Sequence, residues 1–371
     1  MPTKKGIKRE RVKLYAAIAI PSLLLIIGLL TWRLQAQTPN LPEPPLKQLA
    51  AQKHISLGNF AISSHLGDKP YTNILTSQFD FALADNTPNW YFTDGGLRPT
   101  RTTYDFKRMD QVVNFARSHN MPVQAHHYVW GDEKWLPKWL TSGNFSKPEL
   151  LDILHDHIMT VGQHYQGQVA EWTVVNEAFT RAQRLYGLHD WWADHIGDQS
   201  YIDQSFIWAR QADPHSKLIL NDFNSDVINS TSDAMYNYVK GALARGVPID
   251  GVGMQMHIAG DYPPTKDDVI KNMKRFADLG VGVYVTEFDV NMESVPANDA
   301  DKDQIQAKIY YEMMRACIES QACHSFAYLG ITDSETWYNY IGLKDPRPLM
   351  FDKRYQPKPA FYSVRAALEQ K

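Results

Sequence analysis

The sequence predicts an α/β protein built as a closed (β/α)8 barrel, and three observations carry that expectation. Uncharged runs rich in β-branched and aromatic residues alternate with helical apolar patterns along most of the chain. Eight such runs are found in a stretch of the length one barrel needs. Five consecutive runs, the third to the seventh, end in residues able to hydrogen-bond or stack, as expected where parallel strands deliver their last side chains to one rim. An open, doubly wound sheet is the alternative. It is weakened because no Gly-x-Gly-x-x-Gly turn follows any of the runs.

Taken in order, the expected strands are 58–63, 73–79, 122–130, 169–177, 217–222, 251–257, 282–288 and 324–331. Helical patterns lie between most of them, at 106–119, 148–164, 200–212, 233–245, 265–279 and 302–319, with 358–369 after the last strand.

Upstream of these elements the chain reads as an address. Residues 1–13 hold Lys4, Lys5, Lys8, Arg9, Arg11 and Lys13. The following segment, 14–33, opens with an uncharged run of roughly nineteen residues, long enough to span a bilayer. The positive-inside rule keeps the basic end in the cytoplasm and exports the rest. A retained transmembrane anchor, with an extracytoplasmic catalytic domain, is the favoured reading. A signal peptide cleaved near Leu34-Gln35-Ala36, giving a secreted protein, is the alternative. Residues 34–45 are proline-rich and read as an extended spacer. No second linker or charge block interrupts 46–371, which is expected to be one domain and a monomer.

The net charge of -3 and the lack of a basic tract beyond the N-terminus give no reason to expect nucleic acid. Cys317 and Cys323 are the only cysteines. In an exported domain a disulfide between them is chemically allowed, and two reduced core thiols are the alternative. Two sulfurs without a nearby histidine pair at ligand spacing do not suggest a metal site, and no cofactor is expected.

The chemistry is concentrated at two strand ends. Trp172-Thr173-Val174-Val175 runs into Asn176-Glu177, and Val283-Tyr284-Val285-Thr286 runs into Glu287-Phe288-Asp289. A carboxylate at the edge of a core is costly unless it has a partner or a task. A pair of carboxylates with little else is what glycoside hydrolysis needs, one as acid for the leaving oxygen and the other as nucleophile or base. Period-two geometry turns Gln255 and His257 to one side, and Glu287 and Asp289 likewise, so a histidine–carboxylate contact beside Glu287 is expected. His126 and His127 point to opposite faces, so at most one of them lines the rim.

With these residues in place, the chain resembles the endo-β-1,4-xylanases of glycoside hydrolase family 10. The likeness rests on His126-x-x-Val129-Trp130, Asn176-Glu177-Ala178-Phe179, Asn221-Asp222-Phe223-Asn224, Gly251-Val252-Gly253-x-Gln255-x-His257, Thr286-Glu287-Phe288-Asp289 and Gly330-Ile331-Thr332-Asp333. It extends to the Cys317 and Cys323 pair and to Pro348-Leu349-Met350-Phe351-Asp352. The resemblance implies a barrel that cleaves xylan or a related β-1,4-glycan with retention of configuration and no metal in the chemistry. It implies Glu177 as acid/base, Glu287 as nucleophile, and Asn176 on the sugar 2-hydroxyl. His257 with Asp289 would support the nucleophile and Gln255 the acid/base. His126 and Trp130 would contact sugar, Trp337 would close over the site, and the cysteines would be bonded.

Departures from the family pattern bear on specificity. Gln78-Phe79-Asp80-Phe81-Ala82 stands where Glu-Asn-x-Met-Lys is expected after the second strand, which reads as a rebuilt grip on the distal sugar. Gly131 replaces a histidine, and Leu329 replaces a tryptophan before Gly330.

Overall fold

The computed structural model describes residues 39–85, 90 and 96–370. The basic tail, the expected membrane span and residues 34–38 lie outside them. No helix among the described residues is long and apolar enough to cross a membrane.

Eight parallel strands form the barrel: β1 (Ser56–Phe60), β2 (Phe81–Asp85), β3 (Val123–Trp130), β4 (Glu171–Asn176), β5 (Lys217–Asp222), β6 (Gly251–Met254), β7 (Gly282–Asn291) and β8 (Cys323–Tyr328). Each pairs with the next, and β8 pairs back to β1, so the sheet closes with no free edge. The return helices are α1 (Lys69–Gln78), α2 (Lys107–Ser118), α3 (Lys147–His164), α4 (Ser200–Ala212), α5 (Ser230–Ala244), α6 (Lys266–Ala277), α7 (Asp299–Ser320) and α8 (Pro359–Glu369). Their starts follow local chemistry. Pro148 opens α3, with Glu149 accepting from the Ser146 N–H, and Asn229 caps α5 through the N–H groups of Thr231 and Ser232.

The second strand is not where the sequence reading put it. Residues 73–79 belong mostly to α1, whose buried Tyr71, Ile74, Leu75 and Gln78 recur at helical spacing behind Pro70. The strand begins at Phe81. Gln78 therefore ends a helix, where its Oε1 accepts from the Leu46 N–H. Phe79 and Ala82 are fully buried. None of the three stands at the rim, so a rebuilt sugar grip cannot be located there. The positions that follow β2 begin at Asn86, and residues 86–89 fall outside the described part.

Inside the barrel, side-chain size is matched across strands. Any Cβ at Gly58 would lie 2.1 Å from the ring of Phe81, so that ring fills the place a side chain on β1 would occupy. Phe60, Phe81, Leu83, Ala327 and Leu329 form an apolar cluster with Trp337 against it. The larger core lies between sheet and helices, where Trp172 stacks on Tyr128 with ring centroids 3.9 Å apart.

The expected spacer is docked over its last residues. Arg365 on α8 donates to the carbonyls of Pro42, Glu43 and Pro44. At the C-terminal end of the same helix, Lys53, just before β1, donates to Gln370 O. The chain thus enters the barrel at the strands' N-terminal mouth. Cys317 and Cys323 form a disulfide between the end of α7 and the start of β8.

Candidate active site

Glu177 sits one residue beyond β4 with φ 61° and ψ 28°, a left-handed conformation that costs a non-glycine residue of order 1 kcal/mol. Two contacts to β5 hold it: its N–H donates to Asn221 O at 2.9 Å, and the Asp222 carboxylate accepts from the Phe179 and Thr180 N–H groups that follow. This turn lifts the side chain out of the sheet and onto the rim. Its Oε2 accepts from Trp130 Nε1 at 2.6 Å and from Arg181, and its Oε1 from Gln255 Nε2 at 3.2 Å.

Glu287 comes from the middle of β7. Its Oε1 accepts from Asn221 Nδ2 at 2.8 Å and lies 3.5 Å from His126 Nε2, and its Oε2 lies 3.4 Å from His257 Nε2. Both glutamates keep a small opening to solvent, 8 % for Glu177 and 7 % for Glu287, which a reacting group needs.

The two are joined by a continuous run of amides. Gln255 Nε2 donates to Glu177 and, at 3.1 Å, to Asn176 Oδ1. Asn221 Nδ2 reaches the same Asn176 oxygen at 2.9 Å and continues to Glu287. Thr286 Oγ1 donates to Asn221 Oδ1 and fixes which way that amide faces. Gly253 makes the arrangement possible, because a Cβ there would lie 2.1 Å from Asn221 Oδ1.

His257 does lie beside Glu287, though not as the continuation of one strand. β6 ends at Met254, Met256 has φ 57°, and His257 opens a three-residue strand, His257–Ala259, paired to β7 with His257 opposite Asp289. Its Nδ1 is 3.1 Å from Asp289 Oδ1. Asp289 is fully buried and also accepts from Trp337 Nε1 at 2.8 Å and Tyr338 Oη at 3.0 Å. The left-handed Met256 explains why Gln255 serves Glu177 while His257 serves Glu287.

Electrostatics separates these groups. Burial opposes charge on His257, but Asp289 and Glu287 outweigh it and hold the imidazole well above its ordinary pKa, so it is cationic at neutral pH. Burial would raise Glu287. The imidazoles of His126 and His257 and the Asn221 amide more than offset this and hold it below the ordinary carboxylate range. Burial lowers His126 despite both glutamates. Asp222, beneath Glu177, is pushed up to about 7, chiefly by burial.

The sequence-predicted residues Asn176, Glu177, Glu287, His126, Trp130, Gln255, His257, Asp289 and Trp337 all converge on this rim. Among the described contacts, His126 of the histidine pair reaches a carboxylate and His127 does not. His127 is buried with its ring edge-on to Trp130. Gly131 is explained by packing, since a Cβ there would lie 2.3 Å from Asp190 Oδ1. Asp190 is held by Tyr201 Oη at 2.6 Å. Sequence reasoning passed over Arg181, and it singled out Asn221 and Asp222 as a strand-end motif without giving either a role at the site. Arg181 stands four residues after Glu177, a helical spacing at which a carboxylate and a guanidinium meet. Among the described residues no group of three or more His, Cys, Asp or Glu side chains is arranged to hold a metal ion.

This architecture has close counterparts. The model of a family described as Glycosyl hydrolase family 10 matches residues 45–367. "Endo-1,4-beta-xylanase B" of Thermotoga neapolitana is 35% identical over 334 residues, covering 88% of this chain and 92% of the relative. "Beta-1,4-xylanase" of Dictyoglomus thermophilum is 32% identical, covering 92% and 97%. Among solved structures, xylanase 10B from Thermotoga petrophila RKU-1 in complex with xylobiose superposes with a TM-score of 0.81 at 32% identity, covering 89% of this chain and 99% of that one.

Proposed function

The chain belongs to glycosyl hydrolase family 10, and from that premise we propose that it is an endo-1,4-β-xylanase that hydrolyses internal xylosidic bonds of xylan by double displacement. In the first step Glu287 attacks the anomeric carbon. The glycosidic C–O bond breaks, and protonated Glu177 gives its proton to the departing oxygen. In the second step Glu177, now ionised, takes a proton from water. The resulting hydroxide oxygen bonds to the anomeric carbon and releases Glu287. Two inversions give net retention.

The single observation that carries this reading is the amide chain Gln255–Asn176–Asn221, which ties two rim carboxylates into one unit. Glu287 is ionised by its cationic neighbour and suits the nucleophile. Glu177, held by Trp130 at the end of β3, by Arg181 and by Gln255 just past β6, takes the acid/base role. Asn176 lies between them, where a sugar 2-hydroxyl would sit.

Product analysis on xylan beside a β-1,4-glucan tests the substrate, and proton NMR of the first-formed anomer tests the stereochemistry. The expected products are short xylo-oligosaccharides of β configuration. Release of sugar from glucan alone, or of the α-anomer first, would refute the proposal.

The chain acts as a monomer anchored in a membrane with its barrel exported. The monomer follows the sequence reading of 46–371 as one uninterrupted domain, and the anchor is supported by the basic residues and apolar run of the N-terminus. Light scattering on the soluble barrel and membrane fractionation of the full chain test these two points.

A further inference from the structure

Arg181 is placed against the acid/base by a short helix, Ala178–Ala182, that starts immediately after Glu177. Its guanidinium is buried, with only 5 % of the residue exposed. Nε lies 2.9 Å and Nη2 2.8 Å from Glu177 Oε2. Nη2 also donates to Asp132 Oδ2 at 3.0 Å, Nη1 donates to His189 O at 3.4 Å, and the group lies 5.4 Å above the ring centre of Trp130. Asp132 belongs to the loop after β3, so the arginine spans from that loop to the end of β4.

Counting donors on each carboxyl oxygen gives an asymmetry. Oε2 accepts two hydrogen bonds, from Arg181 Nε and Trp130 Nε1, and has the Arg181 Nη2 of the same ion pair 2.8 Å away. Oε1 receives Gln255 alone among the contacts described, at a longer 3.2 Å. A carboxylic O–H on Oε2 would point its hydrogen into a cluster of other hydrogens, whereas Oε1 has a free lone pair for a proton. We propose that Arg181, held by Asp132, is a positioning residue that occupies Oε2 of Glu177 and thereby selects Oε1 as the oxygen that gives and takes the proton in both steps. This rests on the acid/base reading of Glu177 given above. The O–H bond of Oε1 breaks as the leaving oxygen is protonated, and the same oxygen regains a proton from water in the second step.

The test compares two substrates for Arg181→Gln and Arg181→Lys. One is xylan, whose leaving group needs a proton. The other is 2,4-dinitrophenyl xylobioside, whose leaving group needs none. For Arg181→Gln, kcat/KM on xylan should fall ~30-fold, within the range general acid catalysis supplies. On the aryl substrate kcat/KM should stay within about threefold while kcat and KM fall together, because the intermediate accumulates when the second step slows. Arg181→Lys, which keeps the charge but not the fork, should lie between wild type and Arg181→Gln. Equal losses on both substrates at an unchanged melting temperature, or no loss on xylan, would overturn the proposal. Should Arg181→Gln fail to fold, Asp132→Asn frees the far end of the guanidinium and should lower kcat/KM on xylan alone by roughly threefold to tenfold; no loss, or equal losses on both, again overturns it. A wild-type chain inactive on both substrates would instead refute the hydrolase reading, and this proposal with it.

Discussion

Asn221 Nδ2 stands 2.8 Å from Glu287 Oε1, and the same nitrogen stands 2.9 Å from Asn176 Oδ1. One NH2 group of β5 thus directs one hydrogen to a carboxylate on β7 and the other to an amide on β4. The amide is fully buried.

Replacing Asn221 by Ala should therefore lower kcat/KM on xylan by ~10²-fold, because Glu287 and Asn176 both lose a fixed donor. Gly253→Ala should act in the same direction by pushing the Asn221 side chain aside. Steady-state kinetics on both variants check this, with activity falling more than the melting temperature.

Glu287→Ala should abolish turnover on every substrate, since no other group is placed to attack the anomeric carbon. Glu177→Ala should lose ~10³-fold in kcat/KM on xylan and much less on an aryl glycoside with a good leaving group. Initial rates on the two substrates, measured side by side, separate the roles.

His257 makes the stability depend on pH in a defined direction. Its folded pKa lies well above the ordinary 6.5, against burial, because Asp289 and Glu287 surround it. Asp226, pushed up to about 6 mainly by burial, faces it as well. Folding therefore takes up a proton at this group. The stability it contributes is complete below about pH 6.5 and is lost as pH rises through the elevated folded value. Thermal melts at increasing pH should show a decline above neutrality in the wild type. The decline should be shallower in His257→Asn.

The Cys317–Cys323 bridge closes a loop with a sequence separation of 6. So short a loop limits its effect on the unfolded chain to roughly 2 kcal/mol. A double Cys→Ser variant should fold, keep its activity, and melt about 3 °C lower in a domain of this size. Differential scanning calorimetry checks it.

These results also show which parts of the chain could be read from residues alone. β5 was placed at its true bounds because Leu218-Ile219-Leu220 is bracketed by charge at Lys217 and Asp222. β2 was displaced by about two helix turns, from 73–79 to Phe81–Asp85. Its own residues, Phe-Ala-Leu-Ala-Asp, contain no β-branched side chain, whereas the preceding helix carries Ile74 and Thr76. The helical spacing of Tyr71, Ile74, Leu75 and Gln78 held the correct answer.

At the site, both carboxylates and their histidine were legible because charged residues at the ends of apolar runs stand out. The task of Asn221 was not, because a strand-end amide does not announce which neighbours it serves and its value lies in reaching two other strands. The division of labour between Gln255 and His257 was implied by the resemblance, whereas strand periodicity alone turned both to one side; the left-handed backbone at Met256 is what separates them. Arg181 was visible in principle, four residues from Glu177, but a helix of five residues leaves little pattern to read.

The grip of Arg365 on Pro42, Glu43 and Pro44 has a practical corollary. It pins the start of the barrel at the pole farthest from Glu177 and Glu287. A bead, a fused partner or any surface attached upstream of Pro42 would hold the molecule by its base. Long insoluble fibres could then approach the reactive mouth without hindrance from the support, whereas coupling through the β→α loops would block it.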